Sequence, residues 1–339
     1  MIERIEGICA ARDDPRTLRL RVLAELRRAV DFDAYAWVLT DPETAVGCAP
    51  LADVPFVTEL PRAVRLRYLT AINRWTGLTG APVGLLSEAT EGDLSRSLQW
   101  RELLCRYGVS DGASAVFADP YGCWAFLELW RTGGRVFDRA DAELLRAVVP
   151  GVTTALRRAV ARSLCAVPPP GPRPPGPLVL LLSPDLDVVR QTPETDAALR
   201  LLVPRDDDEP PVPAGAYNVA AQLLAVEAGV DDRLPRARVH LAGGRWLTMS
   251  AARLSEGAEI AVTIQPCAAD ERASLFGRAF GLSPREQELL DLLRGGWDTR
   301  EVAARMFLSP HTVQDHLKSI FVKTGTTSRR ALLAAAVGT

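Results

Sequence analysis

Between Leu18 and Val30 the apolar residues Leu20, Leu23, Ala24, Leu26 and Val30 recur at near-helical spacing. The run Ala34 to Leu39 that follows is rich in Tyr, Trp and Val, so the pattern predicts a helix and then a strand. Two long helical stretches come next, Val54 to Trp75 and Leu94 to Tyr107. Strand-like runs Ala113 to Ala118 and Trp124 to Trp130 are joined by Asp119-Pro120-Tyr121-Gly122, whose Pro and Gly predict a hairpin. A helix from Asp138, interrupted at Pro150-Gly151 and continuing to Leu164, closes the segment. Helices mixed with a strand hairpin predict an α+β domain over residues 1 to 166.

The stretch Pro168 to Pro177 holds seven prolines and two glycines in ten positions, which favours extended polyproline and marks a domain boundary. Beyond it the runs Leu178 to Leu182 and Leu186 to Val189 flank a turn at Ser183-Pro184-Asp185. Helical stretches Asp196 to Leu202 and Tyr217 to Ala228 follow. Three more strand-like runs, Ala237 to Leu241, Trp246 to Ala251 and Glu259 to Ile264, predict an antiparallel meander with a hairpin at Ala242-Gly243-Gly244. Pro204 to Gly215 reads as an exposed loop, because Asp206, Asp207, Asp208 and Glu209 repel one another. A second α+β domain, residues 178 to 268, is the result.

The last segment, residues 278 to 339, is all helix. Ser283 is a good N-cap, Pro284 suits the first helical position, and Glu286 completes a reciprocal capping box. Gly295-Gly296 stops that helix, Asp298 caps the next with Glu301 three residues on, and Ser309-Pro310 starts the third. Only Leu308 and Ser309 separate the second and third helices, which predicts a helix-turn-helix. On the third helix Val313, Leu317, Ile320 and Thr324 form an apolar stripe that packs onto Val302, Ala303 and Met306. The opposite stripe, His311, Gln314, Asp315 and Lys318, is either a solvated face or one that enters a DNA major groove roughly 12 Å wide.

Composition narrows the function. The chain has 339 residues, 47% hydrophobic and 24% charged, which suits several packed domains and excludes wholesale disorder. Its longest strictly apolar run is Ala331 to Val337, so no membrane span is expected and the location is predicted to be cytoplasmic. Net charge is −2, yet from Leu282 onward eight Lys and Arg face six Asp and Glu, and both lysines of the protein, Lys318 and Lys323, lie there. Six cysteines are scattered singly, predicting no metal site and no disulfide framework. Phosphate-loop, HExxH and GxSxG motifs are absent, so no catalytic residue and no cofactor is assigned.

The residues Leu282 to Val337, "LSPREQELLDLLRGGWDTREVAARMFLSPHTVQDHLKSIFVKTGTTSRRALLAAAV", resemble the DNA-binding domain of LuxR-type transcription regulators. The resemblance implies a four-helix domain whose third helix, Pro310 to about Lys323, reads the major groove. Thr312 and Lys318 stand where the family contacts phosphates or bases, and Gln314 and Asp315 occupy groove-facing positions between them. Thr299, Arg300, His311, Lys323 and Arg329 complete the candidate DNA contacts. The fourth helix resembles the family's dimer-forming helix, which makes Leu332, Leu333 and Val337 the dimerisation candidates. Thr324 and Thr326 depart from the apolar residues usual there, and Asp315 brings a negative charge near the groove.

In element order residues 15 to 165 are similar to a GAF sensor domain and residues 178 to 266 to a PAS domain. The fold expected is therefore α+β multidomain, with two antiparallel-sheet sensor-like domains followed by an all-α four-helix helix-turn-helix domain. The function expected is a DNA-binding transcription regulator, homodimeric on double-stranded DNA, with a small-molecule effector and, for an activator, RNA polymerase as partner. Trp37, Trp75, Trp124, Phe126 and Trp130 are either ordinary core or the lining of a ligand cavity. Trp124, Phe126 and Trp130 are expected on one sheet face by strand alternation, opposite the Val54 to Trp75 helix. Two alternatives stay open: a GAF-fold reductase using Cys48, Cys105 or Cys123, and an interaction scaffold whose helix-turn-helix binds protein.

Overall fold

The computed structural model describes residues 1–78, 80–166, 178–195, 199, 214–241, 245–255 and 258–338. The first unit runs α1 (Ile2–Ala10), α2 (Pro15–Ala29), β1 (Ala34–Thr40), β2 (Gly47–Asp53), α3 (Leu60–Leu69), β3 (Val83–Leu85), α4 (Leu86–Ala89), α5 (Leu98–Glu102), β4 (Val109–Asp119), β5 (Gly122–Thr132) and α6 (Arg139–Cys165). Asp14 starts α2 by accepting from the N–H groups of Arg16 and Thr17, with Pro15 at the first helical position. The strands form an antiparallel sheet in the order β2-β1-β5-β4-β3. Pro50, which hides β2 from a sequence reading, is tolerated because β2 is an edge strand.

Three expectations for this unit need correction. The helix expected over Val54 to Trp75 is only α3, preceded by a 3₁₀ turn and ended at Thr70, whose hydroxyl donates to Leu66 O at 2.7 Å. Arg74 and Trp75 are buried in the turns that follow, so their burial imitated a helical stripe without helical backbone. The helix expected over Leu94 to Tyr107 is α5 between two 3₁₀ turns, the last stopped by Gly108 at φ 68°. Pro150 does not interrupt α6, which is helical throughout. Pro150 and Gly151 sit on its exposed side while Leu145, Val148, Val149, Val152 and Leu156 are buried, so apolar packing outweighs one lost backbone bond.

The second unit contains β6 (Leu178–Leu182), β7 (Val188–Gln191), α7 (Ala214–Glu227), β8 (Arg236–Leu241), β9 (Arg245–Arg253) and β10 (Ile260–Pro266). Its antiparallel sheet has the order β7-β6-β10-β9-β8. Counted from the first strand of each unit, both sheets read 2-1-5-4-3. β7 begins later than Leu186, which is buried in the preceding turn at φ 70°. Ala214 and Gly215, expected in the acidic loop, open α7 instead. The Pro168 to Pro177 boundary, the Asp196 to Leu202 stretch apart from Leu199, residues 204 to 213 and the Ala242 to Gly244 turn lie outside the described residues.

Helix α7 explains how the two sheet units sit together. Its residues Ala216, Val219, Ala220, Ala221 and Ala225 are fully buried together with Asn218 and Gln222, the all-round burial of a helix enclosed by other layers. A Cβ on Gly47 of β2 would fall 2.6 Å from Asn218 Oδ1, and one on Gly215 would fall 3.0 Å from Met249 Sδ in β9. The first sheet's Val38, Val116 and Phe126 therefore share one core with Leu180, Val219 and Val262 of the second unit.

The third unit is α8 (Ala269–Phe280), α9 (Pro284–Arg294), α10 (Thr299–Met306), α11 (Pro310–Thr324) and α12 (Arg329–Val337). It begins earlier than residue 278, which falls inside α8. Ala273, Leu275, Phe276 and Ala279 of α8 are buried against α6 and α12. Leu289, Val313 and Leu332 of the helical unit consequently belong to the same apolar cluster as Trp37, Phe117 and Leu156 of the first unit. Gly281 ends α8 at φ 67° so close to Tyr121 and Arg157 of the first unit that a Cβ would lie 2.9 Å from Arg157 Nη1.

Candidate nucleic-acid interface

Local chemistry sets the three helices of the turn. Ser283 and Glu286 form the expected capping box of α9, Asp298 and Glu301 that of α10, and Ser309 Oγ accepts from Thr312 N at 3.1 Å to start α11. Phe307 takes a left-handed φ of 55° to make the turn between α10 and α11. Val313, Leu317, Ile320 and Thr324 are buried, as are Val302, Ala303 and Met306 opposite them, so the apolar stripe lies where its spacing placed it.

The other side of α11 is open. His311 and Lys318 have side chains 84% and 72% exposed, and Gln314 and Asp315 are also exposed. Asp315 sits between two side chains, 3.1 Å from Lys318 Nζ and 3.6 Å from His311 Nε2. The hydrogen bond from Lys318 holds its carboxyl below the usual range. Exposed pairs of this kind are weak, so Lys318 can exchange Asp315 for a phosphate at little cost. Thr299 and Arg300 open α10, half-buried and exposed respectively.

Two expected contacts are engaged elsewhere. Lys323 Nζ donates to Glu286 Oε2 at 2.6 Å and to Gly281 O at 3.1 Å, tying α11 to the start of α9. Burial alone would raise the Glu286 carboxyl, but the Lys323 ammonium, the Ser319 hydroxyl and the Ser283 N–H bring it down to about 2. Arg329 Nη2 donates to Trp297 O at 2.7 Å, closing the end of the α9–α10 turn. Both residues are structural ties of the domain, reached by long side chains whose targets are carbonyl and carboxylate groups distant in sequence. Arg305 escaped the sequence reading: its guanidinium lies 3.5 Å from the centre of the Trp297 ring, on the exposed side of α10.

On α12, Leu332 is buried in the core and unavailable for assembly, whereas half-buried Leu333 and Val337 line an outer groove with Arg329, Arg330 and Ala334. The five aromatic residues of the first unit do not share one face. The β4–β5 register shifts between Phe117 and Ala118, pairing them with Ala125 and Cys123 and leaving Trp124 as the extra residue of a bulge. Trp124 therefore joins Trp37 and Phe117 in one cluster, Phe126 joins Trp75 in a second, and Trp130 lies in a third. Trp75 stacks on Phe126 at 4.3 Å and donates from Nε1 to Ala45 O, the packing of an ordinary core, which was one of the two readings of these residues. Beside them Arg67 pairs with Glu128 next to a cavity of about 20 Å³, room for a single water.

At two of the three candidate cysteines burial disfavours the thiolate. Burial pushes the Cys48 thiol up to about 12 and that of Cys123 up to about 11, the reverse of a thiolate nucleophile. Among the described residues no helix is long and apolar enough to cross a membrane.

Residues 281–336 match the model of a family described as "Bacterial regulatory proteins, luxR family". The matched residues take in α9 to α12, the helix-turn-helix and the helices on either side of it. Curated relatives agree over a similar length. The transcriptional regulatory protein SgaR of Hyphomicrobium methylovorum is 42% identical over 53 residues, 16% of this chain and 25% of SgaR. An HTH-type transcriptional regulator of Mycobacterium bovis is 38% identical over 52 residues, 15% of this chain and only 6% of its own length. The match thus spans a quarter or less of these relatives. Among solved structures, SdiA of Escherichia coli aligns over 95% of this chain and 96% of its own at 13% identity and a TM-score of 0.34. The VqmA–ligand–DNA complex from Vibrio cholerae aligns over 48% and 82% at 22% and 0.21. TM-scores of this size do not establish a common overall fold.

Proposed function

We propose that this protein is a DNA-binding transcription regulator, with α11 as the recognition helix and the two sheet units as the modulating part. One observation carries the reading: within a LuxR-family domain, α11 buries its apolar stripe and leaves His311, Gln314, Asp315 and Lys318 exposed side by side. Phosphate contacts by Thr312, Lys318 and Arg300 would position the helix, and Gln314 with Asp315 would read base edges, a carboxylate favouring the amino group of cytosine. A single helix-turn-helix covers few base pairs, so binding as a homodimer on half-sites one helical turn apart follows, with Leu333 and Val337 as the joining face. The strand order 2-1-5-4-3 in both sheets supports the GAF-like and PAS-like reading of the upstream units. For an activator, RNA polymerase is the further partner.

Genome-wide binding of the tagged protein, followed by salt-dependent gel shifts on the recovered sequence and on random duplex, tests the proposal. A recovered motif bound more tightly than random duplex, with affinity falling steeply with salt, is the expected result. Equal, salt-independent binding to both duplexes would leave the helix-turn-helix as a protein-contact module.

A further inference from the structure

Between the amino end of α2, the carboxyl end of α6 and strands β8 and β9 lies a cavity of about 780 Å³. Small-molecule sites occupy roughly 300–1,000 Å³. Part of its wall is apolar, from Leu39, Trp124, Val160, Trp246 and Leu275. Arg12, Arg16, Arg19 and Arg162 also line it, beside Asp13 and Asp14, and none of the four arginines forms an ion pair among the described residues. The nearby carboxylates are committed elsewhere. Asp13 pairs with Arg21 at 2.5 Å, and Asp14 caps α2.

Arg19 is the deciding residue. It is 3% exposed, donating from Nε to Pro15 O at 3.0 Å and from Nη1 to Trp37 O and Ala49 O at 2.8 and 2.9 Å, while Nη2 makes no hydrogen bond among the described residues. Burial pulls its pKa down to about 10, which the charge of Asp14 offsets only in part. Leaving such a charge uncompensated is costly, and an anion in the cavity would compensate it. We propose that this cavity is a binding site for a small organic anion, a carboxylate or phosphate on an aromatic or apolar body. Its charged end meets Arg19, Arg16 and Arg162, and its body lies against Trp124 and Trp246.

The walls come from both sheet units and, through Leu275, from α8 of the DNA-binding unit. Occupancy therefore bears on how all three are held together. A ligand changes DNA affinity only as far as it prefers one arrangement over another. That coupling rests on the DNA-binding reading; the site itself does not.

The test titrates the full chain with 1-naphthoate, 1-naphthyl phosphate and the neutral 1-naphthalenemethanol, by calorimetry and tryptophan fluorescence. At least one anion is expected to saturate a single site, with the alcohol about tenfold weaker or worse. The anion that binds assigns carboxylate or phosphate. Arg16→Glu and Arg162→Gln should each weaken it by about tenfold or more, and Arg19→Gln further. Arg16 is exposed, so its variant decides the question even where Arg19→Gln fails to fold. Equal binding of alcohol and anions, unchanged titrations of the two charge variants, or no binding up to about 10 mM would overturn the proposal and leave a solvent-filled seam. Gel shifts with and without the probe form a separate arm. Saturable anion binding by a protein that ignores DNA would sink the regulator reading and keep the site.

Discussion

Asp41 in the first sheet unit and Arg238 in the second form a two-pronged ion pair, Nε to Oδ2 and Nη2 to Oδ1 both at 2.7 Å, with each side chain 1% exposed. Glu43 adds a third oxygen at 2.9 Å, and the Arg238 backbone N–H a further bond to Asp41 at 2.8 Å. A second tie runs parallel, from Arg74 to Asp231 and Gln222. Removing one partner of a buried pair strands the other charge, so Asp41→Asn should destabilise the chain by about 3–5 kcal/mol. Calorimetry should then show the two sheet units melting apart. A wild-type transition would count against the pair as a lock.

The same carboxylate predicts acid sensitivity. Burial alone would raise Asp41, but Arg238 and the backbone N–H groups outweigh it and hold the carboxyl below the usual range. Stability from this group is therefore complete above its unfolded value of about 4 and is lost as pH falls through the lower folded value. His240 works earlier in the titration. Burial, then the Arg272 charge, lowers it to about 4, so it is neutral in the folded chain while the unfolded imidazole protonates near 6.5. Urea midpoints should fall between about pH 6.5 and 4, and His240→Gln should lose less over that interval. An identical profile in the variant would show that other groups set the slope.

The two lysines should separate cleanly. Lys318→Ala is expected to weaken binding to every duplex and to lower the salt slope by about one, while Gln314→Ala costs about 1–3 kcal/mol at one base position. Lys323→Ala should instead cost about 1–3 kcal/mol of folding stability, because it strips Glu286 of its ammonium, with the salt slope unchanged. Exchanged phenotypes would reverse the assignment.

Assembly can be read on α12. Leu333→Glu with Val337→Glu should convert dimers to monomers in sedimentation without lowering the melting temperature. Leu332→Ala, a core truncation, should cost about 2–5 kcal/mol with the oligomeric state unchanged. Dimers that persist in the double variant would move the joining face elsewhere.

The helical unit was legible because its signals are local: caps at Ser283, Asp298 and Ser309 sit within three residues of the groups they satisfy. The sheet units were legible where alternation is unbroken, as along β8 to β10. Trp124 shows the limit, since one bulge reverses its face and no residue type announces it. Lys323 and Arg329 show another, because cationic residues in a basic domain look alike until their acceptors, 32 or more positions away, are brought near. The cavity at Arg19 was invisible for the same reason, its walls being drawn from residues 12 to 275.

The continuity of apolar packing from Trp37 through α6 and α8 to Leu332 bears on how such a chain can be recombined. Modules joined by a tether can be exchanged freely by fusion. Here a graft cut at Gly281 would part α8, with its buried Leu275 and Phe276, from α9 and α12 and take away the turn that packs on Tyr121 and Arg157. Productive chimaeras would have to carry α6 and α8 with α9 to α12, so the transplantable piece is larger than the matched residues 281–336, and substitutions along α6 would have to be matched by compensating changes in α8.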